Sequence, residues 1–420
     1  MADPAIKLSH PAKSISGTVA LTGSKSESNR ALIIQALSGG NVGIANLSAA
    51  ADTVILQQAL AVAGQTKSAD GPEAAIDIGP AGTAMRFLTA FLTIGGGSFH
   101  LTGSERMKQR PIAILVDALK TLGAGIEYAG QTGYPPLTIQ GGFVQKTDKV
   151  MVKGNVSSQY LSALLLIAAA LPQGLELEIE GELTSRPYLA MTLGMLAEAG
   201  IQHQWNDATI SIAPQTAKPC ELVIEPDWSA ASYWYAMVAL AHEADLFLPN
   251  LKRDSLQGDA AITDIMTHFG VTSTFQDSGL RIQKAQIDHQ AEKKLFDFNE
   301  CPDLAQTVIV CAAAQRRNLS FTGLHTLRIK ETDRIAALQN ELGKFGVKLV
   351  EDGTVYHLRT EELLRPELVT IETYEDHRMA MAFAPLALLF DNVQINEPNV
   401  VDKSYPDFWK HLKQHGFILS

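Results

Sequence analysis

The segment GSKSESNR, residues 23–30, combines a flexible backbone with hydroxyl groups and positive charge. Lys25 and Arg30 carry the charge, and Ser26 and Ser28 are placed to cap the helix that the following apolar run predicts. A helix start with free N–H groups, hydroxyls and two cations is suited to binding a phosphate or a carboxylate. The segment is not a P-loop, because GxxxxGK[ST] is required and a single residue separates glycine from lysine here.

Two more segments have the same character. GPAGTAMRFL opens a predicted helix with Gly82 and Thr83 where N–H groups are free, and Arg86 follows one turn later. In ERMKQRP, Arg110 is the cation whose backbone is most restricted, because Pro111 follows it. Taken singly, the first is also explained by helix capping and the second by a solvated basic surface.

Two polar segments precede apolar helices. VSSQY supplies Ser157, Ser158 and Gln159, and TSRPY supplies Ser185 and Tyr188. Hydroxyl and amide groups suit a small polyhydroxylated or phosphorylated molecule. Capping explains either segment alone, whereas their recurrence favours a ligand.

The segment RIKETDR predicts a site in the C-terminal half. On a helix, Lys330 and Arg334 would be i,i+4 neighbours of like charge, and a bound anion would remove their repulsion. Glu331, placed among cations, is a candidate proton carrier. The alternative interpretation is a salt-bridged surface helix.

The segment YEDHRMAMAF places Asp376, His377 and Arg378 directly before a strongly apolar helix. Asp303 lies at another predicted helix start, and Lys403 lies in VDKSYPDFW. A lone histidine is more often structural, but one flanked by a carboxylate and a guanidinium indicates a site.

Together these segments supply eight cations from both halves of the chain, more than one carboxylate could use. They predict two highly anionic ligands bound side by side between two domains. The eight are Lys25, Arg30, Arg86, Arg110, Lys330, Arg334, Arg378 and Lys403.

The composition limits the class of protein. With 420 residues, 46% of them hydrophobic, the chain is long enough for two domains. Its 34 Lys and Arg against 45 Asp and Glu give a net charge of −11, which argues against binding nucleic acid or an anionic membrane. Three cysteines without metal-ligand spacing, no signal peptide and no long apolar run predict a cytoplasmic protein.

A repeated unit positions these residues. Six amphipathic helices end near a glycine, and short apolar strands follow. Successive glycines are 61 to 76 residues apart, which fits a βαβαββ-sized unit used six times in two domains of three; the glycines are Gly64, Gly125, Gly200, Gly270, Gly346 and Gly416. The polar segment Glu225–Asp227 is the predicted domain junction.

The motifs resemble, in order and over nearly the full length, those of the 5-enolpyruvylshikimate-3-phosphate (EPSP) synthases. The matching segments are GSKSESNRAL, GPAGTAMRFL, SERMKQRPI, SSQY, SRPY, RIKETDR, EDHRMAMAF and DKSYPDFW. The resemblance implies an α/β fold of two similar globular domains, each of three βαβαββ units (an inside-out α/β barrel), with the active site in the cleft. It also implies a discontinuous domain of residues 1–21 and 227–420, and a second domain of residues 22–226.

The resemblance further implies the ligands and their residues. Shikimate 3-phosphate would be held by Lys25, Ser26, Arg30, Ser157, Ser158, Gln159, Ser185, Tyr188, Asp303 and Lys330. Phosphoenolpyruvate would be held by Lys25, Gly82, Arg110, Gln159, Arg334, Arg378 and Lys403.

The implied reaction is addition followed by elimination, in aromatic amino acid biosynthesis. Asp303 would orient or deprotonate the 5-hydroxyl, and Glu331 would deliver and reclaim the proton at the methylene carbon, helped by His377 and Lys25. General acid–base groups and preorganised cations suffice for this chemistry, so no metal and no cofactor is expected. The resemblance favours a monomer.

Two positions depart from the family pattern. Pro80 replaces an asparagine that many members have, which removes a hydrogen-bonding group, and Thr326 replaces another asparagine that touches the shikimate. Gly82 is the small residue that the family associates with sensitivity to glyphosate, so we expect inhibition.

Two rival functions remain. The related enolpyruvyl transferase acting on UDP-N-acetylglucosamine uses a reactive cysteine in a mobile loop, and SERMKQRPI contains none. A non-catalytic paralogue is the other alternative, and the intact Lys25, Asp303, Glu331 and His377 argue against it.

Overall fold

The computed structural model of the chain describes residues 5–66, 72–287 and 293–420. Twelve α-helices lie within these ranges: α1 (Lys25–Leu37), α2 (Ala51–Gln65), α3 (Gly82–Thr93), α4 (Ala113–Leu122), α5 (Ser158–Ala168), α6 (Arg186–Glu198), α7 (Trp228–Leu240), α8 (Ile262–Thr267), α9 (Ala305–Ala314), α10 (Arg334–Gly343), α11 (His377–Phe383) and α12 (Phe408–Gln414). Six short 3₁₀ helices accompany them: Met107–Gln109, Gly258–Ala261, Pro302–Leu304, His325–Ile329, Ala384–Leu388 and Pro398–Lys403.

The strands are short and number twenty-two in the described ranges. They are β1 (Ala5–Ser9), β2 (Ser14–Thr18), β3 (Val42–Ala45), β4 (Ala74–Asp77), β5 (Phe99–Thr102), β6 (Gly125–Tyr128), β7 (Leu137–Gln140), β8 (Lys149–Lys153), β9 (Leu175–Glu180), β10 (Gln204–Asn206), β11 (Thr209–Ile212), β12 (Cys220–Val223), β13 (Glu243–Pro249), β14 (Val271–Gln276), β15 (Gly279–Lys284), β16 (Leu295–Asp297), β17 (Ser320–Thr322), β18 (Lys348–Asp352), β19 (Val355–Arg359), β20 (Val369–Ile371), β21 (Val393–Asn396) and β22 (Ile418–Leu419).

The contacts divide the chain into two compact units. The terminal unit comprises the N-terminal residues as far as Thr22 together with Glu225–Ser420, and the central unit comprises Gly23–Ile224. The domain bounds predicted from sequence, 1–21 with 227–420 and 22–226, remain a prediction about domains.

The described strands form six sheets, three in each unit. Four sheets share one arrangement, in which the first two strands are parallel and a hairpin joins the second strand antiparallel; their orders are β4-β5-β7-β6, β8-β9-β11-β10, β2-β13-β15-β14 and β16-β17-β19-β18. In a fifth sheet, β20-β21-β1-β22, the N-terminal strand β1 takes one hairpin position. The sixth contains only β12 and β3, which are parallel.

The predicted helix stops are partly correct. Four glycines follow a helix end and have positive φ, which favours glycine; they are Gly200, Gly270, Gly346 and Gly416. Gly64 instead lies inside α2, and Gly123, with φ of 119°, ends α4 in place of Gly125, which is the first residue of β6.

Each unit has an apolar central helix. Every residue of α7 except Ser229 is buried, and α5 is buried from Tyr160 onward. A helix that is apolar on all sides must be enclosed by other elements, and α8, α9 and α11 are among the elements that pack against α7. No helix in the part of the chain that the structure describes is long and apolar enough to cross a membrane.

Candidate active site

In the central unit, side chains link the first turns of several helices. Gln159, in the first turn of α5, donates from Nε2 to Thr83 Oγ1 in the first turn of α3, at 3.1 Å. Arg30 in α1 donates from Nη2 to the Tyr188 carbonyl oxygen in the first turn of α6, at 3.3 Å. The starts of α3 and α5 are thereby joined, and helix starts with free N–H groups favour an anion.

Arg30 is nearly fully buried and organises this region. Its Nε donates to Thr192 Oγ1 at 2.7 Å, and its Nη2 donates to Ser162 Oγ at 3.1 Å. Its Nη1 donates to the Ser26 carbonyl oxygen at 2.9 Å, and Phe87 lies 5.5 Å from the guanidinium carbon. Burial lowers the pKa of Arg30 to about 10, so the group stays charged at neutral pH.

The start of α1 differs from the prediction. Ser24, not Ser26 or Ser28, is the N-cap, and its Oγ accepts from the Glu27 N–H at 3.4 Å. Ser28 Oγ instead accepts from the Ser48 N–H at 2.9 Å. The SxxE pattern of a capping box was the signal for this cap.

Lys25, the first residue of α1, forms an ion pair with Asp52. The Nζ–Oδ2 distance is 3.1 Å, and the Asp52 side chain is only 3% exposed. Asp52 was not among the predicted site residues. It lies in the first turn of α2, and its position beside Lys25 depends on how α2 packs against α1.

Gly82, the first residue of α3, lies against Arg110. A Cβ at Gly82 would be 2.5 Å from Arg110 Nη1, so only glycine admits this guanidinium. Arg110 follows a 3₁₀ helix and is extended, as expected before Pro111. Arg86 fixes this loop by donating from Nη2 to the Pro111 carbonyl oxygen at 2.9 Å.

The remaining predicted residues of the central unit also lie at helix starts. Ser157 is the N-cap residue of α5, followed by Ser158 and Gln159. Ser185 is the N-cap residue of α6, with φ of 56°, a left-handed conformation unusual for serine. Such strain is characteristic of functional positions.

In the terminal unit, Asp303 lies among three cations. Its Oδ2 is 2.9 Å from Arg378 Nη2, and its Oδ1 is 3.2 Å from Arg334 Nη1 and 3.5 Å from Lys330 Nζ. Burial acts to raise the pKa of Asp303, but the positive charges of Arg378, Lys330 and Arg334 hold it well below its usual value. Asp303 is therefore ionised at neutral pH.

Arg334 is 1% exposed and faces two more carboxylates. Its Nε donates to Asp376 Oδ2 at 2.6 Å, and its Nη2 donates to Asp376 Oδ1 at 3.3 Å and to Glu331 Oε2 at 2.9 Å. Glu331 Oε1 also lies 3.8 Å from Lys403 Nζ. Four cations and three carboxylates thus share one cluster.

The helix predicted across RIKETDR is wrong at its start. Lys330 is extended after a 3₁₀ helix, and α10 begins only at Arg334, capped by Asp333. Lys330 and Arg334 therefore approach each other through Asp303 rather than as i,i+4 neighbours. Burial lowers the pKa of Lys330, while Asp303 acts to raise it. Lys403 is the last residue of a 3₁₀ helix.

The segment EDHR begins α11 as predicted. Asp376 is the N-cap residue, accepting from the Arg378 N–H at 2.9 Å, and His377 Nδ1 lies 3.4 Å from Asp376 Oδ1. The Thr326 side chain is half-buried, and its Oγ1 has no hydrogen-bond partner among the described residues.

Two comparisons of the sequence identify its family. The family model described as EPSP synthase (3-phosphoshikimate 1-carboxyvinyltransferase) matches residues 9–412. A 3-phosphoshikimate 1-carboxyvinyltransferase of Bacteroides fragilis is 45% identical over 412 residues, which cover 98% of this chain and 97% of the relative. The chain belongs to the EPSP synthase family. A Burkholderia multivorans enzyme of the same name is 36% identical, over 95% of this chain and 96% of its own.

Solved structures show the same fold. The EPSP synthase of Acinetobacter baumannii superposes with a TM-score of 0.78 and 20% identity, covering 99% of this chain and all of its own. The enolpyruvyl transferase NikO of Streptomyces tendae has a TM-score of 0.73 at 15% identity, covering 100% of this chain and 99% of its own. The predicted fold class, two-domain α/β with the enolpyruvyl transferase architecture, is thereby confirmed.

Proposed function

We propose that this chain transfers the enolpyruvyl group of phosphoenolpyruvate to the 5-hydroxyl of shikimate 3-phosphate, releasing phosphate. Membership of the EPSP synthase family, at 45% identity to a curated relative over 98% of the chain, carries this proposal. The cation-rich clusters of both units suit two anionic substrates. The product serves chorismate and aromatic amino acid biosynthesis, and we propose a cytoplasmic monomer.

Shikimate 3-phosphate binds chiefly to the central unit in this proposal. Hydroxyl groups at the starts of α5 and α6, with the first turn of α1, receive the phosphate and the ring hydroxyls. The proposed residues are Lys25, Ser26, Arg30, Ser157, Ser158, Gln159, Ser185 and Tyr188, with Asp303 and Lys330 from the terminal unit. Arg30 is the deepest of them, so it also holds α1 in register with α5 and α6.

Phosphoenolpyruvate binds to guanidinium and ammonium groups of both units. Arginine suits carboxylate and phosphate because its planar fork donates two parallel hydrogen bonds. The proposed residues are Lys25, Gly82, Arg110, Gln159, Arg334, Arg378 and Lys403. Gly82 contributes by leaving room for the Arg110 guanidinium.

The carboxylates carry the proton transfers. Glu331 donates a proton to the methylene carbon of phosphoenolpyruvate, and positive character develops at the adjacent carbon. The 5-hydroxyl oxygen bonds to that carbon while Asp303 accepts its proton, giving a tetrahedral adduct. The adduct then loses phosphate by C–O cleavage, and the phosphate takes up the proton that Asp303 accepted. Glu331 reclaims a proton from the methyl group, so both carboxyl groups return to their starting states.

The positively charged side chains explain why these reaction steps are favourable. Asp303 is ionised and hydrogen-bonded to Arg334, so it can orient the hydroxyl before accepting its proton. Lys25 assists by stabilising charge on the phosphate and the adduct, since a fixed charge needs no reorganisation during the reaction, and His377 assists the proton transfers of Glu331.

Phosphate release from phosphoenolpyruvate tests the proposal. We expect turnover with shikimate 3-phosphate and none with UDP-N-acetylglucosamine, and the reverse result would overturn the proposal. Glu331→Gln and Asp303→Ala should each lower kcat by about 10²-fold or more while the protein stays folded. Glu362→Gln is the matched control, because Glu362 is exposed and forms an ion pair with Lys348 at 3.0 Å. Glyphosate should inhibit the wild-type enzyme.

A further inference from the structure

Arg378 is held on two different sides. Its Nη2 faces Asp303 on one side, at 2.9 Å, and also donates to Ser229 Oγ at 3.3 Å. Its Nη1 donates to the Tyr233 hydroxyl at 3.2 Å. The Ser229 hydroxyl in turn donates to Asp259 Oδ2. Asp303 must exchange partners during the reaction, whereas Ser229 and Tyr233 belong to the buried helix α7 and stay in place.

A separate set of hydrogen bonds, made by Gln257, holds Asp259 close to Ser229. Gln257 Oε1 accepts from the Trp228 N–H at 2.9 Å, and its Nε2 donates to the Pro226 carbonyl oxygen at 3.0 Å. The Gln257 N–H donates to Ser255 Oγ at 3.0 Å. The loop before α8 is thereby tied to the first turn of α7, two residues ahead of Asp259.

Asp259 is an unusual carboxyl group to bury. It is 6% exposed, and its Oδ1 has no hydrogen-bond partner within the described residues. An unpaired buried polar atom costs free energy unless another role retains it. The ionisable groups near Asp259 include Asp227 at the start of α7, Cys301 and Asp303 before α9 and Arg378 in α11.

We propose that Asp259 is a positioning residue for phosphoenolpyruvate, which holds the Arg378 guanidinium in its binding orientation through the Ser229 hydroxyl. This inference rests on the proposed function of Arg378. An ionised Asp259 accepts the Ser229 proton, so the lone pairs of Ser229 Oγ face Arg378. A protonated Asp259 competes with Arg378 for those lone pairs, and the guanidinium loses that orientation.

The charge of Asp259 changes near neutral pH. Burial, followed by repulsion from Asp303, raises the pKa of Asp259 to about 7, although Arg378 and the Ser229 hydrogen bond act to lower it. Asp259 is therefore ionised at pH 8.5 and protonated at pH 5.5. The contribution of Asp259 to phosphoenolpyruvate binding should be present at the higher pH and absent at the lower.

The experiment measures KM for phosphoenolpyruvate and kcat from pH 5.5 to 8.5 in the full-length enzyme. For Asp259→Asn we expect KM to exceed the wild-type value by about three- to tenfold at pH 8.5, with kcat changed less than about twofold. At pH 5.5 the two KM values should agree. At each pH, the KM of Asp259→Asn is divided by the KM of the wild type. The titration of the substrates affects both values equally and does not change this ratio.

Two further variants separate positioning from structure. Ser229→Ala should raise KM at pH 8.5 and match the wild type at pH 5.5, and adding Asp259→Asn to it should have no further effect, because Asp259 acts through Ser229. Asp264→Asn removes an exposed carboxylate in α8 and should match the wild type throughout.

Three results would overturn the inference. These are an unchanged KM in Asp259→Asn at pH 8.5, a KM ratio that is the same at every pH, and additive effects in the double variant. An inactive wild-type enzyme would instead contradict the proposed function, so the two failures are distinguishable.

Discussion

Replacing Arg334 by methionine is the sharpest perturbation of the terminal unit. Methionine keeps much of the volume of the arginine stem but removes a guanidinium that faces three carboxylates. Asp303 keeps Arg378 at 2.9 Å, and Glu331 keeps Lys403 at 3.8 Å. The third carboxylate therefore loses the most electrostatic stabilisation.

That carboxylate is Asp376, which is fully buried. Without Arg334, Asp376 keeps the Arg378 N–H at 2.9 Å and the His377 ring at 3.4 Å. Removing one partner of a buried ion pair costs about 3 to 5 kcal/mol, because an uncompensated charge remains. We expect Arg334→Met to lower the free energy of unfolding of the terminal unit by that amount.

Urea denaturation followed by tryptophan fluorescence measures this loss. Three of the four tryptophans, Trp228, Trp234 and Trp409, lie in the terminal unit, so the signal reports mainly on it. Adding Asp376→Asn to Arg334→Met removes the stranded charge and should restore about half of the loss or more. A loss below about 1 kcal/mol in the single variant, or a further loss in the double variant, would refute this reasoning.

Three other predictions concern single positions. Gly82→Ala places a Cβ 2.5 Å from Arg110 Nη1, so KM for phosphoenolpyruvate should rise about tenfold with an unchanged urea midpoint; an unchanged KM would contradict it. Asp333→Ala removes an N-cap that accepts from two N–H groups at 3.1 Å, and should cost about 1 kcal/mol by urea denaturation, whereas an unaltered midpoint would count against the cap. The pKa of Asp259 is about 7 in the native state against 3.8 ordinarily, so the native state binds more protons between these values and its stability falls as the pH rises. Asp259→Asn should therefore stabilise the protein above pH 7, by at most about 4 kcal/mol, and the gain should vanish near pH 4; a gain independent of pH would exclude this cause.

Local signals predicted much of the fold. Glycine after a helix has a local physical reason, because it adopts positive φ without strain, and Gly200, Gly270 and Gly346 show that geometry. Gly64 shows the limit, because glycine inside a helix costs about 1 kcal/mol, which packing of α2 easily offsets.

The site was predicted in part. The motifs indicated that Asp376, His377 and Arg378 begin a helix, because a capping carboxylate directly precedes an apolar run. The helix over Lys330 was wrong, because the i,i+4 argument assumed a start that the Asp333 cap places later. The Asp333 N-cap could have been predicted from the sequence.

Other site residues had no local signal. Asp259 lies thirty residues after Ser229, so nothing in either segment indicates that they form a hydrogen bond. The contact arises because Gln257 ties one loop to the start of α7. Tertiary contacts of this kind depend on the packing of distant elements, so sequence periodicity and motifs do not predict them.

The strand pairing of β1 and β2 has a consequence during synthesis on the ribosome. These strands are made before the central unit, yet β2 pairs with β13 and β1 pairs with β21 and β22, near the other end of the chain. The central unit is continuous and can fold as it emerges. By contrast, β2 has no partner until Glu243–Pro249 has been translated, and β1 is not fully paired until Leu419, the partner of Leu8, has been translated. Completion of the β20-β21-β1-β22 sheet is therefore a late, non-local event in folding.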